Sequence, residues 1–202
     1  KFISLEGGEG VGKSTQLGAL ADALRSRGLE VVETREPGGS PGAEAIRSLL
    51  LGGDDDRWGP HAEALLFAAA RSDHVEKTIR PALERGAWVL CDRFLDSSLA
   101  YQGGAGGLGI PAVRAINSFG IGDALPDRTL LLLLPEGSAR ALERDEGESD
   151  RIGGRPAAYH EAVQAAFRTI AREEPDRIRA VDASGSREGV TARLLSAIED
   201  LL

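Results

Sequence analysis

Apolar residues in this chain occur either in short unbroken runs or at intervals of three and four positions. The runs at 2–5, 87–91 and 129–134 are almost continuously apolar, which is typical of parallel strands that are buried on both faces of a sheet. Two weaker apolar runs occupy 29–34 and 177–182. This pattern predicts five strands that are spread along the whole chain.

Stretches with helical spacing separate the predicted strands. They cover 13–27, 43–51, 62–84, 111–119, 136–146, 157–173 and 186–202. Pro81 lies inside the third stretch and predicts a kink or the start of a new turn, whereas the glycines at 103–107 predict a loop. The regular alternation predicts an α/β fold, a five-stranded parallel sheet with helices on both faces. We expect a single domain over residues 1–202, because no linker-like segment interrupts the pattern.

The first predicted strand leads into a glycine-rich loop. Gly7, Gly12, Lys13 and Ser14 match the G-x-x-x-x-G-K-[ST] pattern of phosphate-binding loops, with the required strand before it and helix after it. Glycines allow several backbone N–H groups to face one anion, and a helix N-terminus adds partial positive charge. We expect Lys13 to bind the β- and γ-phosphates of a nucleotide and the Ser14 hydroxyl to ligate Mg²⁺. The alternative is a glycine-rich turn that only caps the helix.

Composition narrows the class of protein. The 202 residues include 32 acidic and 24 basic side chains, and the net charge is −8, which argues against a nucleic-acid partner because such a partner requires a basic face. The single cysteine, Cys91, excludes an internal disulfide and fits a reducing compartment. No apolar run approaches the ~20 residues that span a bilayer, and no signal-peptide pattern opens the sequence. We therefore expect no membrane partner and a cytoplasmic location.

Arginines next to predicted loops indicate a second anion site. Arg35 follows the second strand, Arg71 lies on the longest helix, and Arg93 follows the third strand. Since ligands of open parallel sheets bind at the carboxyl ends of the strands, we expect these guanidinium groups to face the phosphate loop. Two phosphorylated substrates held end to end would explain both sets of cations. The N-K-x-D tetrad that reads guanine in switch GTPases does not occur in the chain.

Five motifs, in order along the chain, carry a family resemblance. They are E-G-G-E-G-V-G-K-S-T at 6–15, T-R-E-P-G-G at 34–39, A-A-R at 69–71, D-R-F-L-D-S-S at 92–98 and A-Y-Q-G-G at 100–104. With them the chain resembles the bacterial thymidylate kinases over nearly its whole length, and R-E-P-G-G and A-Y-Q-G are more specific than the phosphate loop. The resemblance implies transfer of a phosphoryl group from ATP to dTMP, with Mg²⁺, as a step in dTTP biosynthesis.

The resemblance assigns roles on the donor side. Lys13 would hold the donor phosphates and spread the charge of the transition state, Ser14 and Asp92 would ligate Mg²⁺, and Arg93 would bridge the two phosphates. An alternative for Asp92 is that it caps the following segment. The ATP-binding residues would be Gly7, Gly8, Glu9, Gly10, Val11, Gly12, Lys13, Ser14, Thr15 and Arg140. The catalytic residues would be Lys13, Asp92, Arg93, Arg144 and Arg151.

The resemblance also assigns an acceptor site for dTMP. Glu9 would meet the 3′-hydroxyl, Phe67 would stack on thymine, and Arg71 would bond a carbonyl of the pyrimidine. Ser98 and Gln102 would line the base pocket. The complete set implied by the resemblance is Glu9, Arg35, Glu36, Pro37, Phe67, Arg71, Arg93, Ser97, Ser98, Tyr101 and Gln102.

Three of these acceptor residues have structural alternatives. Tyr101 would pack under the sugar, where a bulky wall disfavours a 2′-hydroxyl, but it would also suit plain packing. Phe67 lies on a largely apolar helix and has the alternative of a core residue. Arg71 has the alternative of pairing with Asp73 or Glu76 on its own helix.

Residues 140–155 are expected to form a lid that closes over the ATP phosphates and excludes water. The resemblance assigns this role to Arg140, Arg144 and Arg151. The chain departs from the family pattern at three nearby positions, Asp145, Glu146 and Gly153. A solvated, charged helix end is therefore the alternative for this segment. The resemblance further implies a homodimer that is packed through helices.

Other functions stay open from the residues alone. One is a kinase for a different nucleoside monophosphate or for a deoxynucleoside, and another is a P-loop protein that binds ATP without phosphorylating a substrate. The net charge of −8 disfavours an ATPase that acts on nucleic acid. None of His61, His74 and His160 lies in a loop assigned to the site, which agrees with an acceptor phosphate that is already ionised and needs no strong base.

Overall fold

The predicted strands form one parallel sheet. The structure is a computed structural model that describes residues 1–54, 56–135 and 151–202. Within these residues the strands are β1 (Phe2–Glu6), β2 (Val31–Arg35), β3 (Trp88–Asp92), β4 (Arg128–Leu133) and β5 (Ile178–Asp182). Their order is β2-β3-β1-β4-β5, and neighbouring strands pair in parallel. The predicted α/β fold with a five-stranded parallel sheet is confirmed.

Helices connect the strands and cover both faces of the sheet. The α-helices are α1 (Lys13–Arg25), α2 (Pro41–Leu51), α3 (Pro60–His74), α4 (Arg80–Glu84), α5 (Leu95–Ser98), α6 (Ile110–Ile121), α7 (Ala157–Glu173) and α8 (Arg187–Ser196). A π-helical turn at Val75–Ile79 joins α3 to α4, another at Leu99–Ala105 continues α5, and a 3₁₀ turn at Glu199–Leu201 follows α8. None of these helices is both long and apolar enough to cross a membrane. The helix predicted for 136–146 lies outside the described residues.

Alternate side chains of the strands build one hydrophobic core on each face of the sheet. Leu5 of β1 packs in one core with Leu20 of α1 and Leu194 of α8. Phe2 of the same strand packs in the other core with Phe167 of α7. Burial on both faces explains why the central strands read as nearly unbroken apolar runs.

The kink predicted at Pro81 takes the form of a change in helix type. The π-helical turn Val75–Ile79 ends directly before α4, whose second residue is Pro81. Proline has no N–H group, and its ring crowds the carbonyl four residues earlier, so a helix must widen or break at this point. The helix predicted for 62–84 therefore runs from residue 60 to residue 84 but is not α-helical throughout.

The loop predicted for 103–107 is wrong in its first half. Residues 99–105 are π-helical, and the glycines there serve close packing. A Cβ on Gly104 would lie 2.5 Å from the Cβ of Ala166 on α7, and a Cβ on Gly103 would lie 3.1 Å from the Cα of Ile110 on α6. Glycine at these positions therefore lets α6 and α7 approach this helical turn closely.

Candidate functional site

The carboxyl ends of β1, β2 and β3 surround a cavity of about 500 Å³. Because β3 lies between β1 and β2, the loops that follow these strands meet at one edge of the sheet. The cavity is lined by most of the predicted site residues, namely Glu9, Gly10, Gly12, Lys13, Ser14, Thr15, Arg35, Glu36, Pro37, Phe67, Arg71, Asp92, Arg93, Ser97, Ser98, Tyr101 and Gln102. It is also lined by four residues that were not predicted, Arg47, Leu51, Phe94 and Ile152.

The loop between β1 and α1 has the backbone of a phosphate-binding loop. Gly7, Gly10 and Gly12 have φ angles of 140°, 65° and 93°, which favour glycine. A Cβ on Gly7 would lie 2.5 Å from the carbonyl oxygen of Leu132, so no side chain fits there. The first residues of α1 line the cavity, where the unpaired N–H groups of a helix N-terminus favour an anion.

Lys13 lies nearly buried against this loop. Its Nζ donates hydrogen bonds to the carbonyl oxygens of Gly7, at 3.2 Å, and Gly8, at 2.7 Å. Burial, and then the charge of Arg93, lowers the pKa of Lys13 to about 8. A phosphate is a stronger partner for an ammonium group than a backbone carbonyl, so an incoming phosphate can replace these bonds.

Ser14 and Asp92 form an oxygen-rich pair beside the loop. The Ser14 hydroxyl donates to Asp92 Oδ2 at 2.6 Å, whereas Asp92 Oδ1 is buried and has no hydrogen-bond partner among the described residues. An orphaned carboxylate oxygen next to a hydroxyl suits a hard cation such as Mg²⁺. The alternative of a helix cap is not present, because α5 has no side-chain N-cap. In the described parts of the chain no cluster of three or more His, Cys, Asp or Glu side chains could hold a metal, so phosphate and water would have to complete the coordination.

Arg93 lines the cavity and bonds both the phosphate loop and the segment after β3. Its φ of 67° is a left-handed conformation that is uncommon for any residue other than glycine. Its Nη1 donates to the Gly7 carbonyl at 3.0 Å and to Ser97 Oγ at 3.1 Å, and its Nη2 donates to Glu9 Oε1 at 2.7 Å. The guanidinium carbon lies 5.1 Å from the centroid of the Tyr101 ring. Arg93 therefore connects the phosphate loop to the helical turn that carries Tyr101.

Glu9 is an ionised acceptor within the phosphate loop. Burial opposes its ionisation, but the positive charges of Arg93 and Lys13 outweigh burial and lower its pKa to about 2. The Tyr101 hydroxyl donates to Glu9 Oε1 at 2.8 Å. Tyr101 is therefore bonded to a predicted site residue and does more than fill space.

Glu6 supports the site from outside the cavity lining, and sequence analysis includes it only as part of a motif. It is fully buried at the end of β1 and accepts hydrogen bonds from Phe94 N–H at 2.7 Å and from Ser97 Oγ at 2.6 Å. Burial, and then the charge of Asp96, raises the pKa of Glu6 to about 8. These bonds stabilise the segment that follows the left-handed Arg93. A charged residue directly after an apolar run was the available signal in the sequence.

Arg71 is buried, and its guanidinium is held by several elements. Its Nε donates to Glu36 Oε2 at 2.7 Å, and its Nη2 donates to the Phe94 carbonyl and to Ser98 Oγ, both at 3.0 Å. Its Nη1 donates to Asn117 on α6. All of these partners lie outside α3, so the alternative of pairing within its own helix is not present. Asn117 was not predicted.

The loop after β2 is supported by a histidine that sequence analysis left outside the site. His74 on α3 is fully buried, and its Nδ1 lies 3.0 Å from Glu36 Oε1 while its Nε2 lies 2.7 Å from Thr34 Oγ1. His74 does not line the cavity. It acts on the site through Glu36, which is thereby held by His74 on one side and by Arg71 on the other.

Arg151 is bonded to α2 and α3. Its Nη2 donates to Glu63 on α3 at 2.6 Å, and its Nε donates to the Leu50 carbonyl at 2.9 Å. It is buried and does not line the cavity. This placement does not support the catalytic role predicted for Arg151, because the buried carboxylate of Glu63 holds its guanidinium. The predicted lid residues Arg140 and Arg144 lie outside the described residues, as does the whole of the predicted lid up to residue 150.

Phe67 and two arginines complete the wall opposite the phosphate loop. Phe67 is half-buried and lines the cavity, so it is not simply a core residue. Arg35 pairs with Glu44 at 3.1 Å on the exposed rim. Arg47 was not predicted; it lies on α2, and its Nη1 donates to the Pro37 carbonyl at 2.6 Å. The only feature of the sequence that could have indicated a role for Arg47 in the site is its position two turns into the helix that follows R-E-P-G-G.

Comparison with known proteins gives one consistent family. The family model described as thymidylate kinase matches residues 5–194. The chain is 62% identical to a thymidylate kinase of Rhizorhabdus wittichii, with 100% of this chain and 98% of that protein covered, and 48% identical to one of Caulobacter vibrioides, with 98% and 95% covered. The crystal structure of thymidylate kinase from Ehrlichia chaffeensis superposes with a TM-score of 0.79 at 30% identity and covers 98% of this chain and 97% of that one.

Proposed function

The chain belongs to the thymidylate kinase family, and from this premise we propose how its cavity serves the family reaction. The enzyme phosphorylates dTMP, with ATP as the donor and ADP and dTDP as the products. The observation that carries the proposal is one cavity that is lined by the phosphate loop, by Phe67 and Arg71 and by Arg93, whose guanidinium bonds Gly7 and Glu9 of the loop. Two nucleotides would bind end to end, with their phosphates meeting at Arg93.

The phosphate loop and Lys13 would receive the ATP phosphates. Lys13 Nζ would exchange its bonds to the Gly7 and Gly8 carbonyls for bonds to phosphate oxygens, which would favour its charged form. Ser14 and the orphaned Oδ1 of Asp92 would hold Mg²⁺. When bound, the ion neutralises charge on the donor phosphates.

Phosphoryl transfer here would depend on position and charge. The acceptor is a phosphate oxygen that is ionised at neutral pH, so no strong base is required. His74 is buried and does not line the cavity, so it is not placed to act as a base. Arg93 would neutralise the charge that is shared by the donor and the acceptor phosphates. Its bond to Glu9 and the ring of Tyr101 beneath it would keep its guanidinium in this position.

The opposite wall would select the acceptor. Phe67 offers an apolar face for the base, and Arg71, Ser98 and Gln102 offer polar groups at its edge. The low pKa of Glu9 keeps it an anion, which can only accept hydrogen bonds. A sugar hydroxyl of dTMP is the donor that such a group requires.

Three further predictions stay as parts of this proposal. Residues 1–202 would form a single kinase domain in the cytoplasm. Residues 140–155 would be its lid, with Arg140 on ATP and Arg144 in catalysis. Arg151 would anchor the end of this lid to Glu63 and would not take part in the chemistry.

We also propose a homodimer in which α3 and α6 meet the same helices of a second copy. Phe119 on α6 is 98% exposed, and Leu65 on α3 is 57% exposed. The two helices are in close contact, since a Cβ on Gly120 would lie 2.8 Å from the Cβ of Ser72. Two adjacent helices thus present large apolar side chains on the outer surface.

Light scattering after gel filtration tests the dimer. We expect the unmodified chain to have twice the monomer mass and Phe119→Asp to have the monomer mass. Leu202→Asp changes an apolar residue that is also exposed but lies outside α3 and α6, and it should stay dimeric. A monomeric unmodified chain would rule out the dimer.

A coupled assay of ADP release tests the catalytic proposal. With ATP and Mg²⁺ present, we expect rapid ADP release on addition of dTMP and much slower release with dUMP, dCMP or thymidine. Lys13→Ala serves as the inactive control for contaminating kinases. ATP binding without any acceptor-dependent ADP release would favour a non-catalytic P-loop protein, and preference for another monophosphate would favour a different nucleotide kinase.

A further inference from the structure

Glu63, near the start of α3, is a buried carboxylate that no part of the reaction proposed above uses. Its Oε2 accepts hydrogen bonds from Arg151 Nη2 and Arg155 Nη2, both at 2.6 Å. Its Oε1 accepts a hydrogen bond from Gln102 Nε2 at 3.2 Å. Glu63 and Gln102 are both nearly fully buried, so each of these bonds lies in a region of low dielectric, where an unpaired group is costly.

The bond to Glu63 decides which end of the Gln102 amide faces the cavity. A glutamine side chain can donate through Nε2 or accept through Oε1, whereas a carboxylate bonded to two guanidinium groups can only accept. Nε2 must therefore face Glu63, since the reverse orientation would place two acceptors in contact. Gln102 lines the cavity, and no described residue donates to its Oε1. Gln102 thus presents a hydrogen-bond acceptor, its Oε1, to the cavity.

We propose that Glu63 is a positioning residue that selects the base of the acceptor nucleotide through Gln102. Thymine carries a hydrogen on N3, which Oε1 of Gln102 can accept, whereas N3 of cytosine is itself an acceptor and would be repelled. Glu63 would thereby enforce the preference for a pyrimidine dione over an aminopyrimidine without touching the substrate. This inference rests on the proposed function, because it places the base beside Gln102.

The two arginines explain why this orientation is stable. Arg151 is buried and also donates to the Leu50 carbonyl at 2.9 Å, so Glu63 cannot turn away without breaking a buried, charge-assisted hydrogen bond. Arg155 adds a second bond and stacks on Tyr159, with its guanidinium carbon 4.6 Å from the ring centroid. The carboxylate is therefore fixed as an acceptor from one side while it orients Gln102 on the other.

The test compares dTMP with dCMP in Glu63→Gln. The new amide can donate to Gln102 Oε1, so the Gln102 side chain is free to flip and present Nε2 to the cavity. We expect the ratio of kcat/KM for dTMP to that for dCMP to fall about tenfold, the effect of one hydrogen bond to the base. The loss for dTMP should be in KM, with kcat at saturating dTMP changed much less.

A swapped pair and a control variant separate this role from a purely structural one. In the double variant Glu63→Gln with Gln102→Glu, the carboxylate at position 102 accepts from residue 63 and again presents an acceptor to the cavity, so the preference for dTMP should return. Arg155→Ala removes one partner of Glu63 but leaves its buried pair with Arg151 and its bond to Gln102, so it should keep the ratio of the unmodified enzyme. If Glu63→Gln does not fold, Gln102→Ala decides, since it removes the same acceptor and must lower the ratio.

The outcomes distinguish this inference from the function on which it rests. An unmodified enzyme that does not phosphorylate dTMP overturns the proposed function. If the unmodified enzyme is active on dTMP but Glu63→Gln, or Gln102→Ala in its place, keeps the full ratio, only the role of Glu63 is overturned. The same holds if the swapped pair is no more selective than Glu63→Gln, or if Arg155→Ala loses selectivity to the same extent.

Discussion

At the part of the cavity proposed for ATP (the donor end) Lys13 bonds two backbone carbonyls of its own loop. At the part proposed for dTMP (the acceptor end) Arg71 bonds groups from three other parts of the chain. Both side chains are nearly buried, with 7% and 2% of their surface exposed. The pKa of Lys13 is lowered to about 8, so its charge is poorly supported before a phosphate arrives. Arg71 instead faces the carboxylate of Glu36 at 2.7 Å.

The contrast indicates two different ways to bind a nucleotide. The donor end provides a curled backbone and a cation whose partners can be exchanged, so binding of phosphate completes it. The acceptor end is assembled in advance from buried side chains, so little reorganisation remains to oppose binding of the base. The following predictions test whether the two ends really differ in this respect.

The largest expected effect is on turnover, which depends on the charges of Lys13 and Arg93. Lys13→Ala or Arg93→Ala should lower kcat by about a thousandfold or more, which is the scale of charge stabilisation in phosphoryl transfer. The coupled ADP assay at saturating substrates measures it. Binding of dTMP to Lys13→Ala, followed by calorimetry, should change little because the acceptor end does not depend on Lys13. Turnover near that of the unmodified enzyme would remove these roles.

The second effect is on stability and is confined to the acceptor end. Glu36→Ala leaves the buried guanidinium of Arg71 without its carboxylate partner, and it should lower the free energy of unfolding by about 3 kcal/mol. Denaturant unfolding measures it. Arg35→Ala is the matched control, since it breaks the exposed pair with Glu44 and should cost less than about 1 kcal/mol. Equal losses for the two variants would mean that the acceptor end is not held together by the buried pair.

The third effect concerns the Mg²⁺ that is proposed for the donor end. Asp92→Asn should raise the Mg²⁺ concentration required for half-maximal rate by about tenfold or more, on the scale seen when groups around a metal are changed. Titration of Mg²⁺ at fixed ATP in the ADP assay measures it. The KM for dTMP, taken at saturating Mg²⁺, is the control and should stay nearly constant. An unchanged Mg²⁺ requirement would contradict the assignment of Asp92 as a ligand.

The smallest effect is a pH dependence that only the donor end should show. With the pKa of Lys13 at about 8, the ammonium is charged below pH 8 and loses its proton above it. Phosphate favours the charged form, so ATP binding above pH 8 must take up a proton, and the Kd for ATP should rise about tenfold for each pH unit. Calorimetry in two buffers of different ionisation enthalpy measures this uptake. Affinity for dTMP should not share the slope, and a flat profile for ATP well above pH 8 would show that Lys13 keeps its charge.

Much of the fold could be predicted from local pattern. All five strands were placed within two residues of their observed ends, and α7 was predicted at its observed bounds, because unbroken apolar runs and helical spacing are properties of neighbouring residues. The same reasoning failed at Gly103 and Gly104. Their closeness to Ile110 and Ala166 is a property of packing, and in the sequence alone a glycine cluster resembles a loop.

The phosphate loop and the residues that line the cavity could be predicted for a similar reason, because their signal lies in short motifs. What the sequence did not reveal is how each group is oriented. Glu63 bonds Arg151 across 88 positions of the chain, and Arg71 bonds Asn117 across 46. No spacing rule connects residues at such separations.

By itself, then, the sequence determined the parallel sheet, the anion-binding turn after its first strand and the family to which the chain belongs, since each depends on residues that are close together along the chain. The tertiary structure alone decided that Arg151 supports the wall of the cavity, that Glu6 holds the segment after Arg93 and that Glu63 orients Gln102. Buried charges must find partners wherever the fold brings them together, and only the packed chain shows which partners those are.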